Sequence, residues 1–449
     1  MNRTDRLRQE MSATMRLAAP VALVQLGIML MGVVDTIMLG HVSATALASG
    51  ALGHISTVVL LILGSGTLAA LDPLVAQAHG AGDQESIGGH LQRGLVLAVV
   101  LAIPLGLLFW NITPFLRFAD QPVEIVQEAA SYARGIVWGL PAFFAFVAFR
   151  QTLQAMSIVR PTAVAIVAGN LFNMVGDWAL IFGHLGFPAL GVAGSAYATS
   201  AGRWVMLLCL LWAARHELAR YWRGVSREAF DLGRHLRLLR IGLPIGLHQS
   251  LEILFFVTLA LLVGQMGVVP LAGHHIAINL ASLSFMVPLG IGGAAATRVG
   301  NAIGRSDMPG ARRAAAACLL LGAGVMIAFA AAFALWPELL SRLYTQDPQV
   351  IAMAALLLPI AAMFQVFDGV QTVGAGILRG AADTTFPAAL AFVGFWGLGL
   401  PAGWYLAYQA GQGAAGLWWG MTVGLAAVSL FLVGRIALRF RGTLGRVSS

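Results

Sequence analysis

Apolar stretches of about 20 residues recur along the whole chain, and this recurrence limits the possible folds more than any other feature of the sequence. Each stretch is long enough to cross a bilayer as a helix, where every backbone polar group can be bonded internally. Only 10% of the residues are charged, whereas a soluble protein has about 25%. The sequence therefore predicts an all-α integral membrane protein with twelve transmembrane helices, whose surface faces a lipid bilayer. The predicted spans are 16–38, 47–71, 92–112, 127–149, 160–182, 190–213, 240–263, 271–295, 313–336, 350–373, 385–408 and 415–437.

The arginines fall on alternate loops, which sets the orientation of the chain in the membrane. All 27 basic residues are Arg, and the net charge is +8. Only Arg117 and Arg342 lie in loops of one side, Arg134 and Arg203 lie within predicted spans, and the others lie on the side of the N-terminus. Positive residues are retained on the cytoplasmic side. We therefore expect both termini in the cytoplasm, an inner-membrane location, and no nucleic-acid partner despite the basic composition.

The chain contains an internal repeat. At an offset of 224, Pro20 aligns with Pro244 and Asp83 aligns with Asp307. The Arg-rich segment 214–240 is the longest polar stretch and separates the two copies. We therefore expect two pseudo-symmetric six-helix lobes, an N-lobe at 1–225 that ends in this cytoplasmic linker and a C-lobe at 226–449. Six helices bring both lobes into the membrane from the same side, and parallel repeats of this kind occur in secondary transporters that alternate access between their halves.

Four acidic residues lie inside predicted spans. A carboxylate at the bilayer centre costs roughly 2.5–3.5 kcal/mol, so an intramembrane acid indicates a functional site by default. Under the repeat, Asp35 aligns with Leu259 and Glu252 aligns with Ile28, so the acids are not duplicated with the scaffold. Each lobe is therefore expected to have an acidic site of its own. The four acids are Asp35, Asp177, Glu252 and Asp368.

Helical spacing surrounds these acids with polar side chains. Asn170, Asn173 and Asp177 form one stripe at i, i+3 and i+7, although Asp177 could instead cap or brace its helix. Carboxylate and amide oxygens suit Na⁺, and desolvated carboxylates can equally hold protons. Glu252 and Asp368 are therefore predicted to bind Na⁺ or H⁺; the alternative is that the acids only bond to neighbouring helices. The polar neighbours of these two acids are His248, Gln249, Gln365 and Gln371.

Four passages of this sequence resemble the multidrug and toxic compound extrusion (MATE) family, in its NorM-type branch, and the resemblance extends over essentially the whole chain. They are VVDTIMLGH around Asp35, GNLFNMVGDWALIFGHLGFPALGVAGSAYAT from Gly169, QSLEILFF around Glu252, and FQVFDGVQTVGAGILRGAADTTFP around Asp368. The resemblance implies an antiporter that exports cationic or amphipathic drugs, driven by inward Na⁺ or H⁺, with no cofactor. We expect it to act as a monomer.

The resemblance also implies roles for individual residues. Glu252 and Asp368 match the cation-binding acids of the C-lobe in NorM-type members. Asp35, Asn173 and Asp177 match an N-lobe polar network that other branches use for ion coupling, and Thr199 is expected to close that network. Because both acidic sets are present, the resemblance leaves open which ion is used and which lobe binds it.

Other function classes fit the sequence less well. A flippase for a lipid-linked precursor, from the same broader superfamily, is the main alternative, but it is expected to place Arg within several spans to hold pyrophosphate. An enzyme is disfavoured because HExxH, P-loop and GxSxG motifs are missing, and His274 with His275 lacks metal-ligand spacing. A channel is disfavoured because asymmetric acids would bind ions rather than form a ring.

Overall fold

The protein is helical throughout the residues that the computed structural model describes, which are 3–118, 122–221, 224 and 226–447. The predicted lobe boundary at Val225, and Arg223 of the linker, lie outside these residues. The α-helices are Arg3–Val42 (α1), Ala44–Leu68 (α2), Leu71–Gly80 (α3), Gln84–Trp110 (α4), Thr113–Phe118 (α5), Val123–Val137 (α6), Leu140–Ala155 (α7), Arg160–Phe182 (α8), Gly191–Ala213 (α9), Arg215–Ala219 (α10), Leu232–Gly264 (α11), Val268–Gly304 (α12), Met308–Leu335 (α13), Pro337–Arg342 (α14), Pro348–Gly380 (α15), Thr385–Ala391 (α16), Leu400–Trp404 (α17) and Gly413–Arg439 (α18). Short helices of other types are a 3₁₀-helix at Arg227–Phe230 and π-helices at Phe392–Gly399 and Tyr405–Gln409.

The helices confirm an all-α membrane protein. Within the described ranges, ten helical segments are long and apolar enough to cross a membrane, and α6 with α7 makes an eleventh. The sixth predicted span, 190–213, forms the 23-residue helix α9. A total of twelve transmembrane helices and the cytoplasmic position of the termini stay predictions.

The fourth predicted span, 127–149, is broken rather than continuous. Helices α6 and α7 meet at an angle of 53° on either side of Trp138 and Gly139. Pro141 lies in the first turn of α7, where its missing N–H is tolerated but where it cannot continue the preceding helix. A Cβ on Gly139 would lie 2.8 Å from Ser200 Cα, so the break also lets this segment approach α9 closely.

Two aspartates that the repeat aligns play the same part in the fold. Asp83 precedes α4, and its Oδ1 accepts a hydrogen bond from the Ser86 N–H at 3.0 Å. Asp307 precedes α13, and its Oδ1 accepts from the Gly310 N–H at 2.8 Å. Each aspartate therefore satisfies an amide that the first helical turn leaves unbonded.

Replacing either capping aspartate with Ala is expected to lower stability by about 1 kcal/mol, because one N-cap hydrogen bond is lost. The midpoint of thermal unfolding of detergent-purified Asp83→Ala and Asp307→Ala would measure this loss. Asp83→Asn is the matched control, since an Asn side chain also caps well. An Ala variant that unfolds at the temperature of the native chain would contradict the capping role.

The chain divides into two compact units. The unit here called the C unit comprises Met1–Ala22 and Leu247–Ser448, and the N unit comprises Leu23–Gly246. The divisions fall inside α1 and α11, both of which are continuous helices that contain a proline. The lobes predicted from the repeat, 1–225 and 226–449, stay a prediction.

Small residues allow the principal helix contacts within each unit. In the N unit, α8 packs against α9, and a Cβ on Gly194 would lie 2.5 Å from the Leu180 carbonyl oxygen. In the C unit, α12 packs against α15, and a Cβ on Gly376 would lie 2.2 Å from the Gly292 carbonyl oxygen. Larger side chains at these positions would force the helices apart, as in other small-residue contacts between membrane helices.

Candidate functional site

The N unit contains a buried polar cluster around Asp35. Thr199 on α9 donates its hydroxyl to Asp35 Oδ2 at 3.0 Å. Asn173 and Asp177, both fully buried on α8, lie beside the Asp35 carboxyl. The structure thus brings together all four residues predicted for the N-lobe network, from three helices.

The carboxyl groups of this cluster are not fully satisfied by protein donors. Asp35 Oδ1 and both carboxyl oxygens of Asp177 are buried and have no hydrogen-bond partner in the described part of the chain. Two adjacent carboxylates repel each other unless a proton or a cation lies between them. The cluster can therefore hold a proton or a small cation.

Asn170 has a different role from the rest of its stripe. Its side-chain amide donates to the Gly27 carbonyl oxygen of α1 at 3.0 Å. A Cβ on Gly27 would lie 2.5 Å from Ile166 Cγ2, so only glycine lets α1 approach α8 this closely. The predicted stripe does face α1, but Asn170 holds the two helices together while Asn173 and Asp177 reach the acid.

Three further side chains surround this cluster and were not predicted as site residues. His54 of α2, Tyr132 of α6 and Arg203 of α9 lie within electrostatic range of Asp35. Arg203 could have been found from the sequence, because it is a charged residue inside a predicted span. His54 has the same signal, since it is a titratable residue inside the predicted span 47–71, whereas Tyr132 has none, because tyrosine is not unusual in a membrane helix.

The C unit brings the other two acids together. Glu252 of α11 and Asp368 of α15 lie within electrostatic range of each other. Glu252 Oε1 and Asp368 Oδ1 are buried and have no hydrogen-bond partner among the described residues. A pair of carboxyl groups with free oxygens, taken out of water, is the arrangement that a cation or a proton stabilises.

Gln371 connects this pair to a histidine. Its side-chain amide lies beside Glu252, and its Nε2 is 3.0 Å from His248 Nε2. An amide nitrogen can only donate, so His248 Nε2 accepts and the imidazole is the neutral form protonated on Nδ1. Gln371 Oε1 is buried without a partner in the described ranges, and it could ligate a cation together with the acids.

The other two glutamines predicted to support this site are placed differently. The Ser284 hydroxyl donates to Gln365 Oε1, so Gln365 links α15 to α12. Gln249 is half-buried and forms no hydrogen bond with Glu252 or Asp368 within the described residues. Among the described residues, Gln371 is therefore the predicted supporting glutamine that interacts with Glu252.

Aromatic rings next to the acids are packed against one another rather than open. Phe255 stacks on Phe395 with ring centroids 5.3 Å apart, and Phe364 meets Trp418 edge-to-face at 5.8 Å. All four rings are fully buried. His274 is also buried, against Trp418, so it belongs to the core rather than to the membrane interface. The rings therefore join α11 to the π-helix at Phe392–Gly399, and α15 to α18.

The donor set decides which ions the C unit could accept. Within the described residues, no group of three or more His, Cys, Asp or Glu side chains could hold a metal ion. Two carboxylates and an amide oxygen are weak, hard ligands, which suit Na⁺ better than a transition metal. Glu252 and Asp368, with Gln371, would hold the ion.

A sequence profile of the MatE family matches residues 20–179 and again residues 244–405. The chain belongs to the MatE family. The two matches begin at Pro20 and Pro244, the prolines that the internal repeat aligns. The predicted MATE membership is confirmed, and with it the prediction of a multi-pass membrane transporter rather than an enzyme.

Relatives and solved structures support this membership over almost the full length. The multidrug resistance protein NorM of Burkholderia vietnamiensis is 38% identical over 433 residues, which cover 95% of this chain and 93% of the relative. The multidrug resistance protein MdtK of Yersinia pseudotuberculosis serotype O:1b is 35% identical over 437 residues, with 95% of each chain covered. The eukaryotic MATE transporter AtDTX14 has a similar fold, with a TM-score of 0.87, 24% sequence identity and 96% of each chain covered.

Proposed function

We propose that this protein is an antiporter of the bacterial inner membrane that exports cationic or amphipathic drugs in exchange for inward Na⁺ or H⁺. The observation that carries the proposal is the pair of Glu252 and Asp368, each with a buried carboxyl oxygen that no group in the described part of the chain satisfies. The names of the relatives, multidrug resistance proteins NorM and MdtK, support drugs as the substrate class.

Coupling follows from competition for the same carboxylates. A cationic drug and a coupling ion both gain energy from a negative site, so each lowers the affinity for the other. An ion that enters from outside therefore promotes release of the drug on that side. In the next step of alternating access the site opens to the cytoplasm, where the ion dissociates from the acids and a new drug molecule binds.

The cluster of Asp35, Asn173, Asp177 and Thr199 is proposed as a second site for the ion or the drug. Three of its four carboxyl oxygens, Asp35 Oδ1 and both oxygens of Asp177, also lack donors in the described part of the chain, so it has a chemical capacity like that of the pair in the C unit. We further propose that the two lobes, 1–225 and 226–449, move against each other in the cycle, and that one copy of the chain is sufficient.

The flippase alternative is less well supported. Arg134, one of the two arginines within predicted spans, is occupied at the end of its helix. Its Nε donates to the Trp110 carbonyl oxygen at 3.3 Å, and its Nη2 donates to the Thr113 hydroxyl at 3.2 Å. Of these two arginines, Arg203 is then the one available to bind a pyrophosphate group. A pyrophosphate group would need several cationic side chains.

The test of antiport is efflux from proteoliposomes that contain the purified protein and a fluorescent organic cation. An inward Na⁺ gradient at constant pH and an inward proton gradient without Na⁺ are imposed separately, and protein-free liposomes serve as the control. We expect one of the two gradients to accelerate efflux. Efflux that is indifferent to both gradients would contradict ion coupling, and absence of any protein-dependent efflux would contradict drug transport.

A further inference from the structure

Arg203 is a cationic side chain in the middle of a helix that the sequence predicts to span the membrane. Helix α9 has 23 residues, Gly191–Ala213, and Arg203 is at its midpoint. An Arg at the bilayer centre costs roughly 2.5–3.5 kcal/mol on insertion scales, so it is expected to serve a function or to have a close partner. Thr199 lies one turn earlier on α9 and bonds to Asp35, which places Arg203 next to the acidic cluster of the N unit.

The broken span of α6 and α7 provides a place for this side chain. A Cβ on Gly139 would lie 3.0 Å from Arg203 Cδ, so the absence of a side chain at the break leaves room for the arginine stem. The guanidinium carbon lies 4.8 Å from the ring centroid of Phe143, one turn further along α7. Stacking on an aromatic face stabilises a guanidinium and leaves its edge free to donate.

The guanidinium is not neutralised by an ion pair. Nη1 of Arg203 is buried and has no hydrogen-bond partner, and in the described part of the chain no carboxylate forms an ion pair with it. Asp35 and Tyr132 lie within electrostatic range of the guanidinium, and neither forms a hydrogen bond with it among the described residues. The described part of the N unit therefore presents an arginine without an ion pair, within electrostatic range of Asp35, whose Oδ1 has no donor and whose carboxyl lies beside that of Asp177.

We propose that Arg203 is a substrate-binding residue for the carboxylate of zwitterionic amphipathic compounds, whose amine is held by the neighbouring acids. A guanidinium binds a carboxylate with two parallel hydrogen bonds, which gives both affinity and orientation. A single arginine next to an acidic cluster suits a carboxylate, with one negative charge, better than a phosphate, which carries more negative charge. This inference rests on the proposed export of drugs and specifies one chemical class among them.

The test compares one fluorescent zwitterionic compound with its methyl ester, which lacks the negative charge. The kcat/KM for export of each compound is measured in proteoliposomes, and the ratio of acid to ester is used because it does not depend on the amount of folded protein. We expect Arg203→Gln to lower this ratio about tenfold or more, through a higher KM for the acid, since a charge-assisted pair is lost. Arg203→Lys keeps the positive charge but cannot form two parallel hydrogen bonds with a carboxylate. Its acid-to-ester ratio is expected to lie between those of the native chain and Arg203→Gln.

Arg134→Gln is the matched control, because Arg134 also lies within a predicted span but donates to the protein itself. Its acid-to-ester ratio is expected to equal that of the native chain. An unchanged ratio in Arg203→Gln, with the ester still exported, would overturn this inference and leave the proposed function intact. If the native chain exported neither compound, the proposed function would fall as well. Movement of a fluorescent anionic phospholipid that depends on Arg203 would instead indicate a phosphate ligand and overturn the carboxylate assignment.

Discussion

Replacing Glu252 with Gln, or Asp368 with Asn, is expected to lower ion-driven drug efflux about 10- to 100-fold, because a charge-assisted interaction with the ion contributes roughly 1.5–3 kcal/mol. Both substitutions preserve the shape of the side chain and remove its charge. The rate would be measured in everted membrane vesicles at matched protein levels, with the Na⁺ and pH gradients varied separately.

The variants of this acid pair also need a control for nonspecific loss of charge. Glu338→Gln is suitable, since Glu338 is largely exposed and forms an i,i+4 ion pair with Arg342. We expect its efflux to match that of the native chain. Native rates in both Glu252→Gln and Asp368→Asn would show that the pair in the C unit does not couple ion to drug.

Asp35→Asn is expected to lower efflux about tenfold or more, as the largest single effect in the N unit. An Asn side chain can donate to Asp177 and so satisfy its oxygens without a proton or cation, which removes the reason for either to bind. Asp35 is buried, with its carboxyl beside residues of α8 and α9, so water cannot compensate for the interactions that the lost charge made. Drug efflux from cells that lack other pumps would measure the loss.

Thr199→Val is the matched variant for the same cluster. It removes one hydrogen bond, from the Thr199 hydroxyl to Asp35 Oδ2, but leaves the carboxyl group of Asp35 and its capacity to bind a proton or a cation in place. We therefore expect a smaller loss than in Asp35→Asn. Loss of efflux in Asp35→Asn alone, with a native rate in the two C-unit variants and a dependence on pH, would move ion coupling to the N unit. Native efflux in Asp35→Asn would contradict a transport role for the cluster.

The candidate sites show how far the sequence leads and where it stops. Charge inside an apolar span is a local signal, and it identified all four acids. The three supporting glutamines were predicted from spacing along one helix. The structure places Gln371 beside Glu252, whereas Gln365 accepts a hydrogen bond from Ser284 of another helix. Spacing shows which side of a helix a residue shares with an acid, whereas its hydrogen-bond partner comes from another helix, as Ser284 does for Gln365.

The sequence by itself determined the helical membrane fold, the repeat and the presence of acidic residues inside apolar spans. These properties depend on composition over about 20 residues and on the cost of placing a charge in lipid, and neither requires knowledge of distant contacts. Only the tertiary structure decided the break between α6 and α7, the meeting of Asp35 with Thr199 across 164 positions, and the unpaired state of Arg203. Each of these depends on how closely helices far apart in sequence can approach, which glycines such as Gly27 and Gly139 permit and local patterns do not reveal.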